Sequence, residues 1–273
     1  MFFNISTGGY MPDTRKHGTV VSIDELRFYR EKGFLTREQV FSKGECHAIN
    51  ALYESYADEN FSPLMNLHWY EEWIMGVVED PRILSVVDTL SDAPVEVTHT
   101  HFNFKKAGTS FQEQPWNPHQ DNTYPRARWG QYITVGIALT DQDKENGALY
   151  VYPGSHVEPL LEAEPTPTFR ERAAVGNKVQ IPEHYEETLV CLKRGSIFIL
   201  HGNTVHGSYP NISDRDRPLM LITYLPPGVD FVEGKNAQRR RIALRRPRVF
   251  PLFDDHNEKD RLGKIFRSPG RGR

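Results

Sequence analysis

The sequence predicts a mainly β protein in which helices pack outside a core of strands. The chain changes character near residue 95: helix-start motifs and helical spacing come before it, and short β-branched and aromatic runs come after it. Gly, Pro, Asn and Asp separate those runs, and no regular helical pattern lies between them. Antiparallel pairing in a sandwich or barrel is therefore favoured over a doubly wound parallel sheet.

Three helices are predicted in the first part of the chain. The segments 22–25 (SIDE) and 36–39 (TREQ) have the spacing of capping boxes, in which a hydroxyl and a later acid or amide satisfy free amide groups. The second helix is expected from about residue 37 to about residue 58, and Asp80-Pro81 predicts the start of the third. The residues expected to face inward are Ile49, Leu52, Tyr53 and Tyr56 in the second helix and Leu84, Val87 and Leu90 in the third.

Six runs are predicted to be strands because they are rich in β-branched and aromatic residues. They are VEVTHTHFNFK (95–105), QYITVGIAL (131–139), ALYVYPG (148–154), TLVCLK (188–193), SIFILHG (196–202) and LMLITYLP (219–226). No internal repeat or low-complexity linker divides the chain, which predicts one domain over residues 1–273. Within it we expect a helical part at about 20–92, a β core at about 95–228 and a basic C-terminal extension at about 229–273.

The composition is that of a folded protein, since 38% of the 273 residues are hydrophobic and 25% are charged. A net charge of −3 argues against general binding of nucleic acid. Two cysteines are too few for a disulfide framework, and neither a leader-like start nor a run of about 18 apolar residues is present. We therefore expect a cytoplasmic protein that does not enter a membrane.

The segment AQRRRIALRRPR (237–248) is strongly basic, although the whole chain is slightly acidic. Charge runs are usually solvated, so we interpret this segment as a solvated tail or as the contact of a homo-oligomer. The alternative is a clamp for an anionic substrate.

His119 and Asp121 are candidate metal ligands in the segment WNPHQDNTYPR. Two residues apart on an extended strand, their side chains would share one face and point at one ion. A third ligand would complete the arrangement of two histidines and one carboxylate, which leaves open positions on iron. The His-x-Asp pair alone is a weak signal, because ordinary surface or core pairs have the same spacing.

The segment FILHGNTVHGSYPNISDRDRPLMLITY supplies two candidates for the third ligand, His201 and His206. It also contains Ser208 and, at the start of the next apolar run, Arg217. A guanidinium beside an iron site has a chemical role, since it can bind the distal carboxylate of 2-oxoglutarate with two parallel hydrogen bonds. A buried arginine without an anion would be costly. Arg215 is close enough in sequence to be an alternative.

These segments resemble the phytanoyl-CoA dioxygenase family, which includes ectoine hydroxylase. The family pattern is H-x-D, then far downstream H-G-x-x-x-H-x-S-x-x-N, with an arginine eleven residues after the ligating histidine; HQD, HGNTVHGSYPN and Arg217 match it in type, order and spacing. The segments EKGFLTREQVFSKGEC and ENGALYVYPGSH also resemble the family. The resemblance therefore spans most of residues 28–225.

The resemblance implies a double-stranded β-helix core, also called a jelly roll or cupin-like core, and an oxygenase that uses iron(II), 2-oxoglutarate and oxygen. It implies that the iron is bound by His119, Asp121 and His206. It also implies that Arg217 pairs with the distal carboxylate of 2-oxoglutarate and that Ser208 helps to hold this co-substrate.

Other residues are candidates for the pocket or for its support. On a regular strand THTHFNFK would place His99, His101, Asn103 and Lys105 on one face, and the resemblance implies that His101 and Asn103 face the 2-oxoglutarate and substrate pocket. The alternative is a face that is simply wet. Five residues surround the metal segment in the sequence: Trp116, Tyr124, Arg126, Arg128 and Trp129. We interpret them as residues that line the mouth of the site or, alternatively, as packing residues. Structural roles are expected for His156 and His201.

The implied reaction is hydroxylation of a small polar or anionic metabolite or natural-product intermediate, with release of succinate and carbon dioxide. Asp121 favours hydroxylation, because halogenases of the superfamily lack this carboxylate. One alternative is a zinc-dependent hydrolase that uses the same His/Asp/His site, which leaves Arg217 and Ser208 without a role. The other is a non-catalytic β-barrel binding protein with an anionic partner, which an intact ligand set disfavours.

Overall fold

The computed structural model describes residues 21–91, 94–123, 126–164, 178–228, 240 and 242–244. In these residues the helices are α1 (Ile23–Lys32), α2 (Lys43–Glu54), α3 (Glu72–Val78) and α4 (Pro81–Ser91). The strands are β1 (Phe34–Arg37), β2 (Leu64–Met65), β3 (Glu96–Lys105), β4 (Trp116–His119), β5 (Ile133–Ala138), β6 (Leu149–Val151), β7 (Ala163–Glu164), β8 (Lys178–Val179), β9 (Thr188–Val190), β10 (Ile197–His201), β11 (His206–Ser208), β12 (Arg217–Leu225) and β13 (Ile242–Ala243). A mainly β chain with flanking helices is confirmed.

The starts of α1 and α4 follow from the sequence. In α1 the Ser22 hydroxyl accepts a hydrogen bond from the Glu25 amide at 3.1 Å, and the Glu25 carboxylate accepts one from the Ser22 amide at 2.8 Å. Gly33 ends this helix in the left-handed region, with φ of 77°. Pro81 opens α4, and the three residues predicted to face inward are buried: Leu84, Val87 and Leu90.

The predicted start of the second helix at Thr36 is wrong. Residues Phe34–Arg37 form β1 and pair with β10, so that Thr36 lies opposite Phe198. The helix begins at Lys43, where Ser42 and Glu45 form the capping box, and it ends at residue 54 instead of 58. Residues 36–39 and residues 42–45 both have the spacing of a capping box. The pairing of β1 with a buried strand decides between them, because tertiary contacts override local propensity.

The strands form two antiparallel sheets and one short pair. The larger sheet has the order β1-β10-β5-β12-β3-β13, with β2 also paired to β3, and the smaller sheet has the order β4-β11-β6-β9. β7 and β8 make the separate pair. Each of the six predicted runs contains one strand, although the bounds differ. Two facing antiparallel sheets of this kind form the expected jelly-roll core.

Two apolar layers hold the sheets and helices together. The helices cover one face of the large sheet, and this layer includes Ile49, Val86, Ile137, Ile199 and Ile222. It also buries Ile74 and Val77 of α3, a helix that the sequence analysis did not predict. The second layer lies between the two sheets and includes Ala138, Leu149, Val151, Val190 and Phe198. Strand residues therefore alternate between a face covered by helices and a face turned to the small sheet.

No helix in the described part of the chain has the length and apolar composition needed to cross a membrane. The basic segment 237–248 lies mostly outside the described residues, and its described part pairs β13 with Val97 and Glu96 of β3. Its role as a subunit contact or as a clamp stays a prediction. The interpretation of residues 1–273 as a single domain also stays a prediction.

Candidate metal centre

The three predicted ligands meet at one end of the small sheet. His119 is the last residue of β4, His206 is the first residue of β11, and the two are paired across the strands. Asp121 is not on the strand, because the chain turns after His119 into a 3-10 helix at Asp121–Thr123. This turn, in place of the expected extended strand, brings Asp121 beside the histidines. One potential metal-binding atom from each residue lies within 4.8 Å of the other two.

Hydrogen bonds orient both imidazole rings toward Asp121. His119 Nδ1 lies 2.7 Å from the Asn117 carbonyl oxygen, and His206 Nδ1 lies 2.9 Å from the Thr204 carbonyl oxygen. A carbonyl oxygen only accepts, so Nδ1 carries the proton and Nε2 keeps its lone pair in each neutral ring. Asp121 Oδ1 is 3.4 Å from His119 Nε2 and 3.7 Å from His206 Nε2. Two lone pairs and a carboxylate oxygen therefore share one small volume, as metal binding requires.

The protonation states of the three side chains suit a cation. Burial raises the pKa of Asp121, but the adjacent His206 and His119 outweigh it and hold that pKa well below its usual range. Burial lowers the pKa of His206 to about 4. Burial also opposes the charging of His119, but the hydrogen bond and charge of Asp121 raise its pKa. A metal ion at this position would take the place of a proton shared with Asp121.

Thr134 holds the second oxygen of Asp121. It lies on β5, and its hydroxyl donates a hydrogen bond of 2.6 Å to Asp121 Oδ2. Sequence reasoning missed this residue. The sequence signal was a hydroxyl side chain within the otherwise apolar run ITVGIA. A single sequence does not show that this hydroxyl lies next to Asp121, which belongs to another segment of the chain.

The Thr134→Val variant is expected to bind a divalent metal about 10- to 100-fold more weakly, because a lost hydrogen bond to a ligating carboxylate has this typical effect. Valine keeps the shape of threonine, so the fold should be retained. Titration with manganese(II) measures the affinity. The matched control is Thr100→Val, which removes a buried hydroxyl that lies 3.0 Å from His68 Nδ1. An equal loss of affinity in both variants would contradict the role given to Thr134.

A cavity between the two sheets contains the three candidate ligands. Its apolar wall is formed by Leu149, Phe198, Leu200, Leu219 and Leu221. Its polar wall is formed by His99, His101, Asn103, Trp116, Thr134, Ser208, Arg217 and Thr223. The structure therefore brings five of the other predicted site residues into one cavity with the ligands: His101, Asn103, Trp116, Ser208 and Arg217.

Arg217 is a buried cation with unused hydrogen-bond donors. It begins β12, and its side chain is only 1% exposed. Its Nε and Nη1 have no hydrogen-bond partner in the described part of the chain. Burial lowers the pKa of Arg217 to about 9, so the guanidinium stays charged at neutral pH. Arg215, the alternative, is exposed and binds Asp143 through two hydrogen bonds of 2.8 and 3.0 Å.

Lys105 is a second buried basic side chain, which sequence analysis placed on the polar face of β3 without giving it a role. It is 1% exposed and pairs with Arg217 across the strands. Its ammonium donates hydrogen bonds to Ser208 Oγ at 2.8 Å and to the Tyr209 carbonyl oxygen. Burial and the charge of Arg217 hold the pKa of Lys105 well below its usual range. Because Arg217 lines the cavity and no described carboxylate pairs with it, this part of the cavity suits an anion.

The polar face of β3 is buried, whereas the alternative interpretation predicted that it is exposed to solvent. His101 and Asn103 are 8% and 7% exposed, and both line the cavity. The Trp116 ring lies 5.7 Å from the His101 ring and 6.0 Å from the His119 ring, measured between centroids. Trp116 and His101 thus form a wall of flat rings next to a candidate ligand.

The other described candidates are not among the residues that line the cavity. Trp129 packs on His201 with ring centroids 4.7 Å apart, and its Nε1 donates a hydrogen bond to the His156 carbonyl oxygen at 2.8 Å. Arg126 is exposed, as is Arg128, and the position of Tyr124 lies outside the described residues. His156 and His201 are buried among these rings and are not part of the ligand group.

Comparison with protein-family models shows to which family a chain with this fold and these residues belongs. The model of the phytanoyl-CoA dioxygenase (PhyH) family matches residues 29–219, which is more than half of the chain. The chain belongs to the phytanoyl-CoA dioxygenase family. The family is one of iron(II)- and 2-oxoglutarate-dependent dioxygenases.

The PhyH chain has curated relatives at low identity. Phytanoyl-CoA dioxygenase domain-containing protein 1 of Danio rerio is 26% identical over 205 residues, which cover 72% of this chain and 64% of the relative. An ectoine dioxygenase of Bordetella parapertussis is 24% identical over 240 residues, which cover 77% of each protein. The match with the Danio rerio protein thus spans less than two thirds of that relative.

A solved structure of similar fold is EctD from S. alaskensis, with 2-oxoglutarate and 5-hydroxyectoine bound. The TM-score is 0.65 at 17% identity, over 88% of this PhyH chain and 90% of that chain. A likeness at this identity concerns the fold, and it confirms the jelly-roll core.

Proposed function

We propose that the chain is an iron(II)- and 2-oxoglutarate-dependent dioxygenase that hydroxylates a small polar or anionic metabolite or natural-product intermediate. One observation carries the proposal: a single cavity contains both a group of two histidines and one carboxylate and a buried arginine with unused donors. The first arrangement suits iron, and the second suits the far end of a dicarboxylate.

The donor set of His119, Asp121 and His206 fits iron(II). Two imidazole nitrogens and one carboxylate oxygen are typical of non-haem iron oxygenases, and three protein ligands leave positions open for the co-substrate and oxygen. Bound iron would supply the activation of oxygen, which no amino-acid side chain performs. The protein's part is orientation: backbone carbonyls select the imidazole tautomers, and Thr134 holds the carboxylate.

The buried guanidinium of Arg217 fits the distal carboxylate of 2-oxoglutarate. The guanidinium of Arg217 is a planar fork of donors that matches a carboxylate. Ser208 accepts a hydrogen bond from Lys105, which leaves its own hydroxyl hydrogen available for the same carboxylate. We assign Asn103 and His101, which line the same cavity, to the walls that hold the co-substrate. The leucines and Phe198 of the apolar wall exclude water from this space.

The charges in the cavity support a neutral or anionic substrate. Among the described residues that line it, Asp121 is the one carboxylate, and we assign it to the metal. A cationic substrate would therefore find no further acidic partner in this part of the site. Trp116 offers a flat surface next to the metal centre, and contacts from Tyr124, Arg126 and Trp129 stay predictions.

Anaerobic reconstitution tests the proposed function. Protein mixed with iron(II) and 2-oxoglutarate is expected to develop the weak visible charge-transfer band of the iron chelate, and succinate should form when oxygen is admitted. A protein that shows no such band and instead binds zinc tightly would contradict the oxygenase. A screen of small anionic and polar metabolites, followed by succinate formation above the background rate, then identifies the substrate.

We also propose a cytoplasmic location. It is supported by the cysteines, because Cys46 and Cys191 are both free, one buried and one exposed. Free thiols suit a reducing compartment. Homo-oligomer formation through the basic segment 237–248 stays a proposal.

A further inference from the structure

The loops that carry Asp121 and His206 are joined by buried side-chain amides. Asp121 follows the end of β4, and residues 202–205 lead from β10 into His206. Three amide residues join these two segments, and we refer to them as the amide clasp: Gln120 and Asn122, which flank Asp121, and Asn203 in the second segment. They are 0%, 2% and 5% exposed, so their hydrogen bonds form away from water.

Both chain neighbours of Asp121 bind to the same residue. Gln120 Nε2 donates a hydrogen bond of 2.9 Å to the Asn203 carbonyl oxygen. Asn122 Nδ2 donates one of 2.8 Å to Asn203 Oδ1. Asp121 is therefore held from both sides against a residue that lies three positions before His206.

Further bonds fix the orientation of each amide. Asn122 Oδ1 accepts a hydrogen bond from the Ala127 amide at 2.8 Å, so its Nδ2 has to face Asn203. Gln120 Oε1 accepts one from the Leu161 amide at 2.8 Å, so its Nε2 also faces Asn203. The clasp consequently has one consistent arrangement of donors and acceptors.

We infer that the amide clasp positions Asp121 and His206 for metal binding, with Asn203 as its central residue. The inference rests on the proposed function, because it requires a metal at this centre. The clasp residues are not among the residues that line the cavity, so they act through Asp121 and His206 and are positioning residues. Preorganisation of this kind keeps a buried carboxylate and an imidazole at a separation that suits a shared ion.

Cobalt(II) titration of the Asn203→Ala variant tests the inference, without 2-oxoglutarate or turnover. The variant is expected to bind cobalt(II) about 10- to 100-fold more weakly and to give an altered visible cobalt spectrum, since the supports of metal ligands have effects of this size. The matched control is Asn146→Ala. Asn146 is 1% exposed and closes the turn before β6. Its Oδ1 accepts a hydrogen bond of 2.8 Å from the Asp143 amide, and its Nδ2 donates one of 2.8 Å to the Asp141 carbonyl oxygen.

The control separates positioning from a general structural role. Both asparagine variants should lose thermal stability, but Asn146→Ala should keep cobalt affinity within about twofold, because the Asn146 side chain bonds to Asp143 and Asp141 and shares no partner with the segments that carry the ligands. Gln120→Met removes the other half of the clasp at similar volume and should show the same loss of affinity. If Asn203→Ala does not fold, the cobalt(II) affinity of Gln120→Met tests the inference.

Two outcomes would overturn the inference alone. One is unchanged cobalt affinity in the clasp variants, and the other is failure of both clasp variants to fold while the control folds. A wild-type protein that binds no cobalt(II) would instead overturn the proposed function, and the inference would fall with it.

Discussion

The Asp121→Ala variant is expected to lose 2-oxoglutarate-dependent oxygen consumption by at least about a thousandfold, which corresponds to about 4 kcal/mol. Asp121 is the one anionic donor of the candidate centre, and its Oδ1 lies 3.4 Å from His119 Nε2 and 3.7 Å from His206 Nε2. Alanine leaves two neutral imidazoles, which bind a divalent ion much more weakly. An oxygen electrode measures the turnover, and titration with manganese(II) measures the affinity.

The fold should survive this substitution, which makes the result interpretable. The change removes a largely buried charge, and the hydroxyl of Thr134 is the described hydrogen-bond donor that loses its acceptor. Asp143→Ala is the control, since Asp143 is an aspartate on the surface that pairs with Arg215. Turnover within about tenfold of the wild type in Asp121→Ala would contradict the proposed ligand set.

The Arg217→Met variant is expected to bind 2-oxoglutarate about a hundredfold more weakly while keeping its affinity for metal. Two charge-assisted hydrogen bonds are worth about 3 kcal/mol or more together, and methionine fills the space without donating. The KM for 2-oxoglutarate and a manganese(II) titration give the two affinities. Equal loss of both would indicate that Arg217 supports the structure and does not bind the co-substrate.

Although Arg217→Met weakens 2-oxoglutarate binding, it should not lower the thermal stability of the ligand-free protein. A buried guanidinium whose Nε and Nη1 have no partner in the described residues costs stability, so Arg217→Met should unfold at an equal or higher temperature. Addition of 2-oxoglutarate should raise the unfolding temperature of the wild type and not of the variant. Arg215→Met is the control, because Arg215 is exposed and its loss should leave the 2-oxoglutarate affinity unchanged.

Local signals in the sequence determined several elements of this fold. The Ser22 and Glu25 capping box and Pro81 predicted two helix starts correctly, because capping depends on residues within one turn. The alternating and β-branched runs predicted strands, because side-chain direction repeats every second residue. The spacing of His206, Ser208 and Arg217, which lie on consecutive strands of two different sheets, singled out candidates that the structure places in one cavity.

Other features depend on which segments meet, and only the tertiary structure decided them. The start of α2 moved to Lys43 because residues 34–37 pair with β10. Thr134 reaches Asp121 from β5, and Lys105 reaches Ser208 across 103 residues of chain. Spacing along one sequence carries no record of such partners, since sheet pairing and burial select them. The sequence by itself thus determined the family and the candidate metal and co-substrate residues, whereas the folded chain determined the buried partners that orient them.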